Sequence, residues 1–147
     1  MRRLLLALTV AVFVAPLTSA QAPAPPADPP PSPAAPAAAP TYDARFLIED
    51  TTEYVGTTTF AVGDKGDVAG ALTIVGPLEG TGTVSGPVKD GTWTARIEFT
   101  LTSQACSGVV SGSATVPADR RVISGTGTVT SSCVANPQTA TFTFTRK

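Results

Sequence analysis

The chain has 147 residues, a formal net charge of −1 and no histidine. That length supports one small domain, and the near balance of charge argues against nucleic acid or an anionic membrane surface as a partner. Without histidine, the commonest general base, the commonest metal ligand and the usual partner of a catalytic serine are all missing.

Residues 1–20, MRRLLLALTVAVFVAPLTSA, place Arg2 and Arg3 before an apolar run from Leu4 to Ala15 and close on small residues. This is the three-part layout of a secretory signal peptide, with cleavage expected after Ala20. The apolar run falls short of the roughly 20 residues that span a bilayer, so no membrane span is expected in the mature chain. No cysteine stands near the cleavage point, which argues against a lipid anchor.

Residues 21–41 read as a Pro/Ala-rich linker. Within PAPPADPPPSPAAPAAAP, residues 23–40, 9 of 18 positions are proline and 7 are alanine. Such a segment lacks the aromatic and β-branched residues needed to bury apolar surface, so a disordered, extended tether is expected.

The remainder, residues 42–147, carries 8 Lys plus Arg against 10 Asp plus Glu, a balance of 8 − 10 = −2. It is rich in Thr and Val, favourable on a pleated sheet, and is punctuated by Gly, Pro and Asp. Eight strands are expected, at about 43–49, 53–62, 68–75, 81–88, 92–102, 106–116, 122–132 and 138–146. In the fifth, TWTARIEFTLT, apolar Trp93, Ala95, Ile97, Phe99 and Leu101 alternate with polar Thr94, Arg96, Glu98, Thr100 and Thr102. The last strand does the same, with Ala140, Phe142 and Phe144 set against Thr139, Thr141, Thr143 and Thr145. Each strand thus has one dry and one wet face. The connections are short, so sequence neighbours pair antiparallel. The predicted fold is all-β, an antiparallel up-and-down β-barrel of about eight strands, with a two-sheet β-sandwich as the alternative.

Cys106 and Cys133 are the only cysteines, and in an exported chain they are expected to form a disulfide. If Asp119-Arg120 is the centre of the hairpin between them, opposed residues have numbers summing to 239, and 106 + 133 is 239. The apolar positions support this register. One face collects Cys106, Val110, Ala114, Ile123, Val129 and Cys133, and the other collects Ser111, Ser113, Ser124, Thr126 and Thr128.

Chemistry of other kinds finds little footing. Three Val-Ser-Gly-like steps place Ser85, Ser111 and Ser124 on wet faces, with no base to activate them. Lys65 and Lys89 fall in turns and Lys147 at the C-terminus. GDKGD, residues 63–67, reads as a hairpin turn, with too few spaced oxygens for a calcium loop. Accordingly no catalytic, cofactor-binding or metal residue is assigned, and no cofactor is expected. Eight glycines (56, 70, 82, 86, 108, 112, 125 and 127) share the dry register, so aromatic rings are expected to lie over them in a filled core, with a small apolar pocket lined by glycine as the alternative. The wet face carries repeated Thr-x-Thr steps that resemble ice-binding arrays. A twisted barrel wall lacks the flatness of those arrays, and solubility with β-propensity accounts for the threonines.

From Gly82 to the closing TATFTFTRK, the repeated small-residue glycine steps resemble small exported bacterial barrels of the avidin-like and lipocalin-like kind. That resemblance implies a non-catalytic binding or interaction domain, periplasmic or extracellular, whose partner is a protein, a glycan or a small apolar ligand. A second resemblance, to disulfide-bearing barrels that inhibit proteases, supplies an alternative. A small outer-membrane barrel, with apolar side chains turned toward lipid, is a further one.

Overall fold

The computed structural model describes residues 38–147; the expected signal peptide and linker residues 21–37 lie outside the described residues. Eight strands follow one another: β1 (Thr41–Ile48), β2 (Thr52–Val62), β3 (Asp67–Gly76), β4 (Gly80–Lys89), β5 (Thr92–Leu101), β6 (Cys106–Thr115), β7 (Val122–Ser131) and β8 (Gln138–Arg146). A single 3₁₀ turn, Thr102–Gln104, joins β5 to β6. β1 starts two residues earlier than expected, because its ladder to β2 continues out to Thr41 opposite Thr59.

Every strand pairs antiparallel with its sequence neighbours, and β1 pairs with β8, so the sheet is a closed up-and-down barrel. Closure leaves no edge strand open to another chain, and it rules out the two-sheet sandwich. Alternation along each strand turns Trp93, Ala95, Ile97 and Leu101 inward to near-complete burial. The intervening Thr94, Arg96, Glu98 and Thr100 are exposed. A barrel crossing a membrane needs the opposite arrangement, an apolar band on its outer wall. The outer wall here is hydroxyl-rich, and this overturns the outer-membrane alternative.

Two departures from regular pairing help the sheet close. In the β2–β3 ladder the register shifts between Val55 and Gly56, leaving Val75 as an extra residue of β3 that projects 62% exposed. One extra residue on one strand bends it and increases its twist. On β4, Gly86 has φ of +124°, where a side chain is strained, and an added Cβ there would collide with the Thr94 carbonyl. This close approach seats the Trp93 ring, whose indole Nε1 donates to the Ser85 carbonyl at 3.1 Å.

The expected GDKGD turn forms the β2–β3 connection, closed by Gly66 N donating to the Gly63 carbonyl at 2.9 Å and Gly63 N donating to the Asp67 carbonyl at 2.8 Å. Thr58, the one buried polar side chain among the described residues, donates its hydroxyl to the Ala71 carbonyl at 2.7 Å. It therefore adds no unsatisfied group to the core.

Candidate functional site

The two halves of the barrel interior are packed differently. In the half containing the start of β1 and the ends of β2 and β8, aromatic rings fill the barrel. Tyr42 stacks on Phe60 at 4.4 Å between centroids. Phe60 meets Trp93 at 5.9 Å and Phe144 edge-on at 5.8 Å, and Trp93 meets Phe142 edge-on at 6.2 Å. Stacked and edge-to-face pairs in this range are favourable ring arrangements. Glycines make room for them: a Cβ on Gly70 would collide with Phe60, and one on Gly125 would stand 2.6 Å from Phe142 Cζ. The expected packing of rings over glycines is present here.

The other half is open. A cavity of about 330 Å³ lies between the ends of β1, β3, β5 and β7 and the starts of β2, β6 and β8. Its volume falls in the range of small-molecule sites, roughly 300–1,000 Å³. Phe46 forms its floor, 5.9 Å from Phe144 and 6.4 Å from Phe142, and so separates it from the aromatic plug. The walls are aliphatic, with Leu72, Ile74, Leu101, Val110 and Val129. Phe99 also lines the cavity, lying against Gly108, where a Cβ would stand 2.5 Å from its Cζ. A ring laid flat on the wall leaves the axis of the barrel free. The expectation of a core filled throughout is thus corrected: small aliphatic residues in this half do not span the bore.

Polar groups gather around the mouth, on loops 49–51 and 102–105, the 132–137 connection and the adjoining strand ends, and Tyr54, opposite Phe46 on β2, adds a phenol to the lining. Glu49, Gln104, Ser131 and Gln138 are among them. Among the described residues Glu49 is the single charged one lining the cavity. Its backbone N donates to the Thr139 carbonyl at 3.0 Å, and its Oε1 accepts from Thr139 N at 2.6 Å and from Thr139 Oγ1 at 3.3 Å. The β1–β2 turn is therefore tied to the start of β8. Glu49 and Asp50 both have positive φ, 51° and 53°, and Thr51 N closes the turn on the Ile48 carbonyl at 3.1 Å. Consecutive left-handed residues of this kind make the tight turn that matches strand twist.

The disulfide between Cys106 and Cys133 is present, with the Cα atoms 5.6 Å apart. The β6–β7 ladder keeps the register expected from the hairpin, from Thr115 opposite Ser124 down to Gly108 opposite Ser131. Regular pairing stops there. One further contact, Ser132 N donating to the Ser107 carbonyl at 2.8 Å, carries the pairing toward the bridge. Cys106 is buried at 2% exposure, but Cys133 lies beyond the ladder and is exposed. Its expected place on the dry face is corrected accordingly. Both cysteines line the cavity, so the bridge fastens the β7–β8 connection to the rim. Ser131 points inward, with Oγ 3.1 Å from Cys106 Sγ and accepting from Cys133 N at 3.0 Å.

The remaining candidates are scattered. Ser111 and Ser124 are exposed on the outer wall. Ser85 is partly exposed and donates to the Arg96 carbonyl at 3.3 Å. Among the described residues no group of three or more His, Cys, Asp or Glu stands where it would hold a metal ion.

No protein-family profile matches the sequence, and no curated protein is similar to it. Solved structures share its architecture. A redesigned β-barrel matches with a TM-score of 0.53 at 17% identity, over 74% of this chain and 90% of the other. EF1p2_mFAP2b bound to DFHBI matches with a TM-score of 0.50 at 19% identity, over 74% of this chain and 93% of the other. The redesigned β-barrel mFAP1 bound to DFHBI matches with a TM-score of 0.50 at 22% identity, over 74% of this chain and 94% of the other. At this level of identity the shared property is the fold, a small closed β-barrel.

Proposed function

We propose that this protein is an exported, non-catalytic binding domain that takes up one small apolar molecule in the open half of its barrel. The observation that carries the proposal is the 330 Å³ cavity with aliphatic walls, open at one end and floored by Phe46 above a packed aromatic plug. A pocket that is largely apolar, with a few polar groups at its entrance, is the usual form of a small-molecule site. Two of the structurally similar barrels are bound to DFHBI, which supports the reading by analogy of fold.

The Pro/Ala-rich segment fits this role as a tether. The chain enters β1 at the plugged end, where Phe60 N donates to the Pro40 carbonyl at 3.4 Å and Lys147 N to the Thr41 carbonyl at 3.0 Å. The mouth lies at the end of the barrel opposite to Pro40.

Fluorescence titration with the neutral apolar probe N-phenyl-1-naphthylamine tests the proposal. Saturable binding of one probe per chain is expected. Val110→Phe, which places a ring into the cavity, abolishes it while the domain keeps its β-sheet circular dichroism and cooperative melting. Absence of saturable binding, or unchanged binding in a folded Val110→Phe variant, would show that the cavity is not the site.

A further inference from the structure

Resting on the cavity reading, we infer that the preferred ligand is a cationic amphiphile, an apolar body carrying a protonated amine or quaternary ammonium head, and that Glu49 sets this preference. The cavity supplies the site for the body. Among the described residues its lining contains one charged residue, Glu49, at the mouth.

That carboxylate is held in place. The Glu49 backbone and Oε1 are both engaged by Thr139, so the charge does not swing freely with a flexible side chain. Only Oε1 is occupied in this way, and a carboxylate has acceptor capacity on both oxygens. Tyr54 and Phe99 also line the cavity, and the faces of such rings attract organic cations.

The wider charge distribution has the same sign. Residues 49–51, 77–79, 102–105 and 132–137 make the four connections at this end of the barrel. They contain Glu49, Asp50 and Glu79 and no lysine or arginine. Glu53, just below the rim, is paired with Arg45 at 2.8 Å. The plugged end, by contrast, carries Lys65, Lys89, Arg120, Arg121, Arg146 and Lys147 among its acids. A mouth lined by one sign of charge over low-dielectric walls concentrates counter-charged molecules and slows the entry of like-charged ones.

Three probes that share one fluorophore separate body from head: dansylcadaverine is cationic, dansylamide neutral and dansylglycine anionic. At low ionic strength, dansylcadaverine should bind roughly 1.5-fold to fivefold more tightly than dansylamide, the range for an accessible carboxylate–cation contact, and dansylglycine more weakly by a similar factor. The spread collapses in 0.5 M NaCl. It also collapses in Glu49→Gln, which keeps an acceptor for Thr139, the readout being the ratio of the three affinities within that one variant. Glu79→Gln, away from the Thr139 contact, narrows the spread by a smaller factor and controls for any disturbance of the β1–β2 turn. If dansylamide binds but the charge series is flat, reversed or unaltered in Glu49→Gln, this inference fails and the apolar cavity reading survives. If dansylamide does not bind in the cavity, both fail.

Discussion

The unequal packing of the two halves makes a sharp prediction for a pair of identical substitutions. Val84 and Val129 both point inward and are buried, at 1% and 4% exposure. Val129 lines the cavity, whereas Val84 lies on β4 between Gly70 and Ile97, away from it. Trimming either valine to alanine removes two methyl groups, a transfer cost of about 1.6 kcal/mol at ~0.8 per group. At Val84 the surroundings are packed, so the deletion also leaves a new void, and the total rises to about 2–3 kcal/mol. At Val129 the deletion only enlarges space that already exists, and the cost stays near the transfer value or below it, about 1–1.6 kcal/mol. The difference is about 1 kcal/mol. With an unfolding entropy of about 2.1 cal/mol/K per residue over a domain of this size, that separates the melting midpoints by about 4–5 °C. Differential scanning calorimetry of Val84→Ala and Val129→Ala reads this directly. Equal losses, or a larger loss for Val129→Ala, would refute the account of a packed half and an open half.

Reducing the disulfide, or replacing both cysteines by alanine, releases a loop set by a sequence separation of 27 and should cost about 3–4 kcal/mol, visible as a lower urea midpoint. Ala105 ends the 3₁₀ turn at φ 49° and ψ 37°, a left-handed conformation unfavourable to a Cβ. Ala105→Gly is expected to stabilise the domain by about 0.5–1 kcal/mol after allowing for the freer unfolded chain, and chemical denaturation checks the sign. Gly125→Ala brings a methyl into collision with the Ser113 carbonyl, 2.6 Å from Phe142 Cζ and 2.7 Å from Ala114 Cβ, overpacking that should cost about 1–3 kcal/mol. Combining it with Phe142→Leu in a double-mutant cycle should give a non-additive result; strict additivity would show that the Gly125–Phe142 contact is not the cause.

Much of this architecture could be read from residue order. Strict alternation from Trp93 to Leu101 identified both the strand and its inward face, and the 239 sum placed Gly108 opposite Ser131 as found. Alternation assigns a face but carries no information about height along the barrel axis. Height depends on the stagger between strands, which brings Tyr42, Phe60, Trp93, Phe142 and Phe144 to one end although they are far apart in sequence. For the same reason the cavity was not legible: glycines on the dry register admit rings equally well in a filled core and in the wall of a pocket. A comparison of the inward side chains at the two ends of β1, β5 and β8, with Tyr42, Trp93 and Phe144 at one end and Ile48, Leu101 and Ala140 at the other, is the signal that points to it. Glu49 reaches the cavity from a turn, where periodicity has ended, Gln138 is a polar residue on the inward register of β8, and Cys133 is exposed because the ladder stops two residues before it. Ala105 and the extra residue Val75 carry no turn or bulge composition, so their conformations follow from closure of the barrel and not from local preference.

The location of ligand within the barrel tests the account most directly. Two-dimensional NMR of the isotope-labelled protein, titrated with N-phenyl-1-naphthylamine, follows side-chain methyls and the single indole at once. The account predicts saturable shifts of the Leu72, Ile74, Leu101, Val110 and Val129 methyls, with the Trp93 indole signal in the plugged half nearly unmoved. Shifts centred on Trp93 and Ile123, or confined to threonine methyls of the outer wall, would contradict it.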